Sequence, residues 1–569
     1  MVWRSPVMNS RNEISARLLE NTDVPVEDGS GRSEVAPSTP IIRHYGTVSR
    51  HCLCCHHVQR PRGWGARHTL AVMGCLGFFV SFCLRVNISM AIVAMVNHTA
   101  LASEARLSSG NININFSAAN SSGIAEVCGG GVANQEQAAV TEDGPFVWGE
   151  MLQGVILSAY FIGYTVSQIP GGRLAESVGA ARTFGLGIFS TALLNLLTPI
   201  FTMWSVYALI AIRILQGITS GVTCPAIHFM LSRWVPPGER SRISTFVYIG
   251  KQLGTAVAIL IAGPLASARA VGGWSAIFYV TGTVGVVWYL FWLLLVHETP
   301  SQHPRIQREE RVYIDAYFRP PVSPGQKLSF PWAKVLTSGP VWALVIVHFC
   351  QNWGDYMIMT ELPTYISSVL HYPLSSNALY SALPQIVKIG FALVVSCMSD
   401  FLVNRGLNIT TSRKLWNSIG MYVPAALMVG VAYSGCNDIM VISLVIGTVG
   451  FNGAIFSGYN INHMDLAPNF AGTLMGLTNC IATLAGVLAP SATGYIINGQ
   501  PSLSSWRLVF LMAAGFFALG NTVFIVFGTA KQQRWNQRLG NYSTNLSVAR
   551  DRQSDAKQKK GGSSHLTYP

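Results

Sequence analysis

Charged side chains are scarce in this chain. Only 11% of its 569 residues are Asp, Glu, Lys or Arg, whereas soluble domains carry about 25%. Half of the residues are hydrophobic, and the mean hydropathy is +0.37. This balance excludes an ordinary soluble domain and indicates a protein that lies largely within a lipid bilayer.

Acidic residues are the scarcer of the two charge signs, with 25 Asp and Glu against 38 Lys and Arg, and the formal net charge is +13. A basic balance is typical of nucleic-acid-binding proteins, but no basic helix stands apart from the apolar segments here. The basic residues lie mainly in the tails and short loops, where membrane topology favours them. We therefore expect a lipid bilayer, and no nucleic acid, among the partners.

Sequence patterns for metal binding and catalysis are missing as well. The eleven cysteines show no zinc-site spacing, and neither a nucleotide-binding loop nor a nucleophile with its base occurs. We expect no enzymatic activity, no metal site and no cofactor. Cys128 and Cys436 fall in loops on the same side of the predicted membrane, where a disulfide between them could form.

Long apolar segments are abundant. Windows of about 20 residues, each long enough to cross a bilayer as a helix, recur along the chain. The first is too long and too deep in the chain to be a cleaved signal peptide. The twelve predicted spans cover residues 70–96, 149–169, 183–202, 204–231, 245–266, 274–296, 339–363, 376–400, 415–434, 438–460, 471–496 and 506–528.

The charges of two segments predict the orientation of the chain in the membrane. Residues 41–68 contain five arginines and no acid, whereas residues 97–148 contain five acids and one base, Arg106. Because basic residues favour the cytoplasmic side, the N-terminus is predicted to be cytoplasmic and the 97–148 loop extracellular or lumenal. The same loop contains three predicted N-glycosylation sequons, at Asn97, Asn115 and Asn120.

The spans divide six and six around a polar, proline-containing stretch. This pattern predicts a cytoplasmic linker that separates two helical bundles, with both termini in the cytoplasm. We expect the two tails to be disordered because they are polar and have few apolar residues to bury. The predicted divisions are a tail at 1–68, a bundle at 69–297, the linker at 298–338, a second bundle at 339–530 and a tail at 531–569.

Two arginines lie well inside predicted spans, Arg85 in the first and Arg213 in the fourth. A cation at that depth costs about 2.5–3.5 kcal/mol on insertion scales. Such residues usually face a water-filled cavity, a buried acid or an anionic substrate. Arg213 shares one helical face with Gln216 and Ser220. We expect the two cations to converge on one anion, although a structural role in helix packing explains each of them as well.

The seventh predicted span contains acidic residues. Gln351 and Asp355 share one helical face, and Glu361 lies near the outer end. Asp355 could be a proton or sodium site, or it could be the partner of a lysine. Lys251 in the fifth span and Lys388 in the eighth are both candidates for that pairing, and the sequence does not choose between them.

Several longer strings closely resemble one family, the anion–cation symporters of the major facilitator superfamily. Members of this family carry sialic acid, glutamate or phosphate. The resemblance covers most of residues 69–530. Its strings are RVNISMAIVAMVN (85–97), LSAYFIGYTVSQIPGGRLAESVGAAR (157–182), RILQGITSGVTCPAIHFMLSRWVPPGERSR (213–242), ELPTYISSVL (361–370) and SGYNINHMDLAPNFAGTLMGLTN (457–479).

The resemblance implies an all-α membrane protein with twelve transmembrane helices in two pseudo-symmetric six-helix bundles, around a site that opens alternately to each side. Gly172, Glu176 and Arg182 lie in a string that resembles the gating motif of the superfamily, although Glu176 stands where aspartate is commoner. Asp400 and Arg405 match the equivalent place in the second half more weakly. A carboxylate and arginines at such a helix junction can form a breakable latch.

The resemblance also implies that Arg85 and Arg213 bind the anion. Tyr160, Tyr164 and Asn352 are further candidates for the substrate pocket. Proton-coupled members carry glutamates where this chain has Gln216 and Ser220, so either Asp355 or Glu361 replaces them, or sodium or the membrane potential drives transport. Members that load glutamate into vesicles carry an arginine at the position of Gln351, which makes glutamate loading an unfavoured function here.

These observations predict a secondary active symporter for small organic or inorganic anions, phosphate-like or sialate-like, that works by alternating access. The expected partners are a small anionic solute and a coupling cation, Na⁺ or H⁺, and the protein is expected to be a monomer. The plasma membrane and a lysosomal or vesicular membrane are both open as locations. An anion channel or facilitator, or a receptor that has lost transport, are the alternatives on the same fold.

Overall fold

The computed structural model describes residues 61, 63–97, 99, 100, 103, 144–267, 272–317, 329–368, 374–497 and 502–536. All of them belong to one compact unit that begins at Val58. Within these ranges nearly all of the regular structure is helical. The prediction of an all-α membrane protein is therefore confirmed.

The first half of the chain contains six long helices. The fourth is interrupted at Val222, because Pro225 has no N–H to continue the helical hydrogen-bond ladder. The helices are α1 (Ala66–Met95), α2 (Glu150–Ser177), α3 (Ala180–Trp204), α4 (Val206–Gly221 and Thr223–Trp234), α5 (Arg240–Ser267) and α6 (Trp274–Leu295).

Two short helices, Arg308–Tyr317 and Trp332–Leu336, precede the second half. The second half repeats the arrangement of six long helices, with interruptions in the fourth and fifth. They are α7 (Gly339–Ser368), α8 (Leu374–Asn404), α9 (Ile409–Tyr433), α10 (Asp438–Asn452, a 3₁₀ turn at Gly453–Ser457, and Tyr459–Leu466), α11 (Ala471–Thr483 and Ala485–Ile497) and α12 (Leu503–Phe527).

Ten helical segments in the described part of the chain are long and apolar enough to cross a membrane. They cover every long helix except α2 and α7. Polar side chains lower the hydropathy of these two helices, such as Gln168 in α2 and Asp355 in α7. Both residues lie on faces that meet other helices, so the polarity that weakens the apolar signal marks the interior of the protein.

Several helices extend beyond the predicted apolar windows. α2 continues to Ser177, α5 begins at Arg240 and α9 begins at Ile409. An apolar window measures only the hydrocarbon thickness of the bilayer. The extra turns lie beyond it, where polar side chains complete the helix ends.

Glycines allow close contact between neighbouring helices of the first half. A Cβ atom on Gly217 of α4 would lie 2.1 Å from the carbonyl oxygen of Tyr160 in α2. Likewise, a Cβ atom on Gly250 of α5 would lie 2.1 Å from the carbonyl oxygen of Cys75 in α1. Small residues at such contacts are typical of membrane helices, because backbone packing replaces the hydrophobic effect in lipid.

The two halves pack against each other on the predicted cytoplasmic side. One buried apolar cluster combines Met230 and Val247 of the first half with Phe456, Met464 and Met475 of the second. On the opposite side, the buried cluster around Ile88 and Phe278 draws its members only from the first half. Among the described residues, therefore, the continuous core between the halves lies towards the predicted cytoplasm.

Backbone hydrogen bonds join the two ends of the long loop after α1. Asn97 N–H donates to the carbonyl of Phe146, and Phe146 N–H donates to the carbonyl of Met95, at 2.8 and 3.0 Å. Asn97 is half-buried, whereas Asn115 and Asn120 lie outside the described residues. Glycosylation of these three sites stays a prediction.

Cys436 follows α9 and is disulfide-bonded. Cys128 lies outside the described residues, so the pairing of these two cysteines also stays a prediction. The described cysteines within or beside the long helices are free thiols: Cys75, Cys83, Cys224, Cys350, Cys397 and Cys480.

The close contact between the halves can be tested at Gly172 in α2, where a Cβ atom would lie 2.6 Å from the carbonyl oxygen of Gly472. We expect Gly172→Ala to lower the Tm of the purified protein, because overpacking costs about 1–3 kcal/mol. Gly154→Ala is the matched control, since a Cβ atom there meets nothing within 4 Å. Equal Tm values for the two variants would contradict the contact.

Candidate functional site

Arg85 lies in α1, two-thirds of the way along the helix, and its guanidinium is surrounded by aromatic rings. Its Cζ atom is 4.7 Å from the ring centre of Phe161 and 5.0 Å from that of Tyr164. Phe82 and Tyr160 lie at 5.2 and 5.7 Å. No carboxylate within the described ranges forms an ion pair with Arg85. The aromatic faces offset part of the cost of burying this cation but leave its charge uncompensated.

Tyr356 of α7 meets Arg85 from the second half, with its hydroxyl 3.4 Å from Nη2. Both side chains are half-buried. Because they face each other across the two halves, their remaining exposure indicates a cavity between the bundles. The sequence interpretation missed Tyr356, although its position four residues after Asn352 on the same face of α7 is a signal that could have identified it.

Arg213 of α4 is 1% exposed and also contacts the Tyr160 ring, with Cζ 4.8 Å from the ring centre. Nη1 donates to Oε1 of Gln216 at 2.7 Å, and Nη2 donates to the carbonyl of Arg85 at 3.4 Å. Its Nε is buried without a partner. The structure therefore brings both arginines to one place, but only Arg85 reaches the cavity in this conformation.

Tyr160 and Tyr164 of α2 form one wall of this site, with nearly parallel rings 6.1 Å apart. The hydroxyl of Tyr160 donates to Ser220 of α4 at 2.7 Å. The amide of Asn479 in α11 donates to the hydroxyl of Tyr164 at 3.3 Å. Tyr164 thereby links the two halves directly below Arg85.

Asn352 of α7 is half-buried and donates to the carbonyl of Ala482 in α11 at 3.2 Å. It holds α7 against α11 within the second half. Its place on the face that carries Tyr356 is consistent with the predicted lining of the pocket.

Asp355 is paired with Lys388 of α8, whose Nζ lies 2.9 Å from both carboxylate oxygens. Gln351 donates to Oδ2 of the same carboxylate at 2.8 Å and accepts from the hydroxyl of Tyr459 at 3.0 Å. The side chain of Lys388 is 3% exposed, whereas that of Asp355 is 36% exposed. The structure thus chooses Lys388 as the partner, and Asp355 remains accessible from the cavity.

Glu361, the other acidic candidate for coupling, lies six residues further along α7. It is half-buried and accepts a hydrogen bond from Thr360 at 3.0 Å. Among the described residues, no basic side chain forms an ion pair with it. The structure does not place it with the Arg85 group.

The two predicted latch carboxylates each cap a helix of the opposite half. Glu176, near the end of α2, accepts from the backbone N–H and the hydroxyl of Thr473 in α11, both at 2.7 Å. Asp400 in α8 accepts from the backbone N–H groups of Ser241 and Arg242 in α5, at 3.0 and 2.8 Å. A carboxylate is favourable at a helix N-terminus because it satisfies free N–H groups and the helix dipole.

The predicted latch arginines lie elsewhere. Arg182 is exposed, and Arg405, which follows α8, is exposed with its guanidinium over the ring of Phe401 in that helix. Instead, Arg173 pairs with Glu176 at 2.6 Å. Backbone N–H groups at helix starts, which carry no sequence signature, replace the arginines that the motif led us to expect.

A further ion network joins the halves at the predicted cytoplasmic end of α10. Asp465 pairs with Arg240 of α5 at 2.5 Å and with Arg413 of α9 at 2.7 Å. Arg413 also donates to the hydroxyl of Ser241 at 3.1 Å. All three charged side chains are at least nine-tenths buried. The network supports the closure of this side.

Three buried histidines occupy the space between the Arg85 group and this network. His228 of α4 lies 5.3 Å from His463 of α10, and His463 lies 6.2 Å from His348 of α7, measured between ring centres. The hydroxyl of Thr478 contacts both His348 and His463, at 3.1 and 2.8 Å. These rings form a contact between the two halves. Among the described residues, no group of side chains has the arrangement of a metal site.

Comparison with known proteins identifies the fold and the family. The family model of the Major Facilitator Superfamily matches residues 74–490. Among solved structures, the proton:xylose symporter XylE is similar with a TM-score of 0.58 and 12% identity over 82% of this chain and 97% of its own. A bacterial homologue of the iron transporter ferroportin gives a TM-score of 0.55 at 12% identity, over 82% of this chain and 99% of its own.

Closer relatives are found by sequence. A Drosophila melanogaster protein named "Putative inorganic phosphate cotransporter" is 37% identical over 84% of this chain and 88% of its own length. Vesicular glutamate transporter 1 of Bos taurus is 36% identical over 91% of this chain and 85% of its own length. Human sialin is 33% identical over 94% of this chain and 98% of its own length. These relatives are transporters, which confirms the expectation of a transporter and not an enzyme. The chain therefore belongs to the anion–cation symporter family of the Major Facilitator Superfamily.

Proposed function

We propose that the chain is a secondary active symporter that carries small phosphate-like or sialate-like anions by alternating access. The single observation that carries this proposal is Arg85, a half-buried cation between the two bundles that has aromatic neighbours and no carboxylate partner among the described residues. Because charge at that depth is costly, an uncompensated cation facing a cavity favours an anionic solute as its partner.

Arg213 supports this site without contacting the anion. Its guanidinium contacts the Tyr160 ring, which Arg85 also contacts, and it donates to the backbone carbonyl of Arg85. An anion at Arg85 therefore experiences the field of a second cation through a region of low dielectric. In this proposal Arg85 contacts the anion, and Arg213 adds attraction and fixes the backbone that presents Arg85.

Asp355 is the proposed coupling residue. The span-4 positions that carry glutamate in proton-coupled family members are Gln216 and Ser220 here, and both are engaged in hydrogen bonds. Asp355 is the acidic side chain in the described part of α7 that faces the cavity, and it already holds a cation, Lys388. A proton or a sodium ion that competes with Lys388 for this carboxylate would link cation entry to a change at the α7–α8 contact.

Alternating access is supported by the unequal packing of the two sides. The Glu176 and Asp400 caps and the Asp465 network hold the predicted cytoplasmic side closed. All are hydrogen bonds or ion pairs between preformed helices, so they can break without unfolding a bundle. Opening this side would release the anion into the cytoplasm, from outside the cell or from a lysosomal or vesicular lumen.

Uptake into proteoliposomes tests the substrate and its binding residues. We expect uptake of labelled phosphate or N-acetylneuraminate by the wild-type chain, with at least about tenfold less uptake by Arg85→Ala and Arg213→Ala, because charge-assisted hydrogen bonds contribute about 1.5–3 kcal/mol. Arg311→Ala is the matched control, since this arginine lies half-exposed in the linker helix. Normal uptake by either core variant would remove its proposed role.

Separate sodium and pH gradients test the coupling residue. We expect Asp355→Asn to lose gradient-driven accumulation while it still exchanges anion down its own gradient, because the neutral amide can no longer hold a proton or sodium ion. Glu361→Gln is the control on the same helix and is expected to accumulate anion normally. The coupling role would be refuted by unchanged accumulation in Asp355→Asn, and anion flux that ignores both gradients in the wild type would indicate a channel or facilitator.

A further inference from the structure

The two lysines within the predicted spans, Lys251 and Lys388, differ in their partners. Lys388 is neutralised by Asp355. Lys251 of α5 has no carboxylate within ion-pair distance in the part of the chain that the structure describes, and its hydrogen bond goes to the sulfur of Cys224 in α4 at 3.3 Å. The predicted spans of the first half therefore hold a third cation without a carboxylate partner among the described residues, in addition to Arg85 and Arg213.

Aromatic rings surround the Lys251 ammonium as they surround Arg85. Nζ lies 4.6 Å from the ring centres of both Phe78 and Tyr248, and 5.6 Å from that of Phe82. Cation–π contacts are stronger when the cation is desolvated, so these rings offset part of the cost of placing the charge in the membrane. The rings stabilise the charge without cancelling it, so the ammonium still attracts an anion.

Lys251 is held in this position by the packing of α5 on α1. Its neighbour Gly250 brings the two backbones together, since a Cβ atom there would lie 2.1 Å from the carbonyl oxygen of Cys75. Gly254, one turn later, makes the same kind of contact with Phe79 at 2.3 Å. Lys251 is therefore directed along the surface of α1 that carries Phe78 and Phe82, and it stays half-buried.

The same face of α1 connects Lys251 with the Arg85 site. Phe82 is a cation–π partner of both side chains, at 5.2 Å from Arg85 and 5.6 Å from Lys251. Phe78 precedes Arg85 by seven residues, about two turns or 10 Å along the helix. Lys251 thus lies deeper than Arg85 on the way to the predicted cytoplasmic side.

Hydrogen-bonding groups continue the path beyond Lys251. The hydroxyl of Tyr248 lies 4.0 Å from the sulfur of Cys224 and 2.6 Å from Nδ1 of His228. Nε2 of His228 is buried without a partner in this closed state. Tyr248 and His228 are both fully buried.

We propose that Lys251 forms a second anion-binding station, between Arg85 and the cytoplasmic gate, that receives the phosphate- or carboxylate-bearing solute on its way to release. This inference rests on the proposed function, because it assigns a second stop to the same solute. A charged solute that leaves Arg85 enters a passage of low dielectric. A cation one to two helical turns further on lowers the free-energy cost of leaving Arg85. The solute then binds at two weaker sites in turn.

Transport kinetics with labelled phosphate test this station. We expect Lys251→Gln to reduce the maximum uptake rate by about tenfold or more, while the half-saturating phosphate concentration changes by less than about threefold, since the entry site at Arg85 is intact. Lys251→Arg keeps the charge and is expected to retain a rate within about threefold of the wild type. A wild-type maximum rate in Lys251→Gln would overturn the station.

Chemical rescue separates charge from packing. In Lys251→Cys, the thiolate displaces methanesulfinate from 2-aminoethyl methanethiosulfonate and gains a disulfide-linked ammonium close in length to lysine. We expect this reagent to restore uptake, and methyl methanethiosulfonate, which leaves a neutral group, to restore none. The wild type treated with each reagent controls for the native cysteines.

The outcomes also separate this inference from the proposed function. Equal rescue by the charged and neutral reagents, or failure of Lys251→Arg in a protein with wild-type Tm, would assign Lys251 to packing and overturn the station alone. A wild-type chain that takes up none of the tested anions would overturn the proposed function and the station together.

Discussion

Uncompensated positive charge in a medium of low dielectric is the constraint on which this structure depends. Arg85, Arg213 and Lys251 lie within the first bundle, and no carboxylate in the described ranges forms an ion pair with any of them. Each is stabilised instead by aromatic faces, amide or carbonyl oxygens, or sulfur. These contacts make burial tolerable but leave a net positive potential, which only a mobile anion can neutralise. A protein that keeps such a site is prepared to bind a solute and to release it.

Several of the few acidic residues lie where the bundles meet. Glu176 and Asp400 cap helices of the opposite half, and Asp465 pairs with arginines from both halves. Near the cavity, the carboxylate of Asp355 is shared with Lys388. These carboxylates therefore hold the predicted cytoplasmic side closed, whereas the cations within the first bundle remain available. Closure by hydrogen bonds between preformed helix ends is reversible at modest cost.

The membrane class, the positions of most helices and the two central arginines could be predicted from the sequence, because hydropathy and intramembrane charge are local properties. The sequence was less informative about which side chains contact each other. Lys251 and Lys388 were equivalent candidates for Asp355, since nothing in linear spacing fixes which helix lies beside α7. Tyr356 was missed because a tyrosine in an apolar segment is unremarkable until Arg85 is seen opposite. The latch carboxylates were anticipated, but their backbone N–H partners could not be, since every helix start offers the same donors.

The amino-acid sequence by itself determined that this chain spans a membrane and keeps cations at unusual depth, because both follow from residue type and period. The family of anion carriers was indicated by the strings that resemble it. The tertiary structure alone decided that Lys388 is neutralised while Lys251 is not, that Arg213 is fully buried while Arg85 is only half-buried, and that the two halves are closed against each other on one side. These distinctions depend on distances of a few ångströms between residues far apart in the chain, and at low dielectric such distances decide whether a charge is satisfied or free to bind.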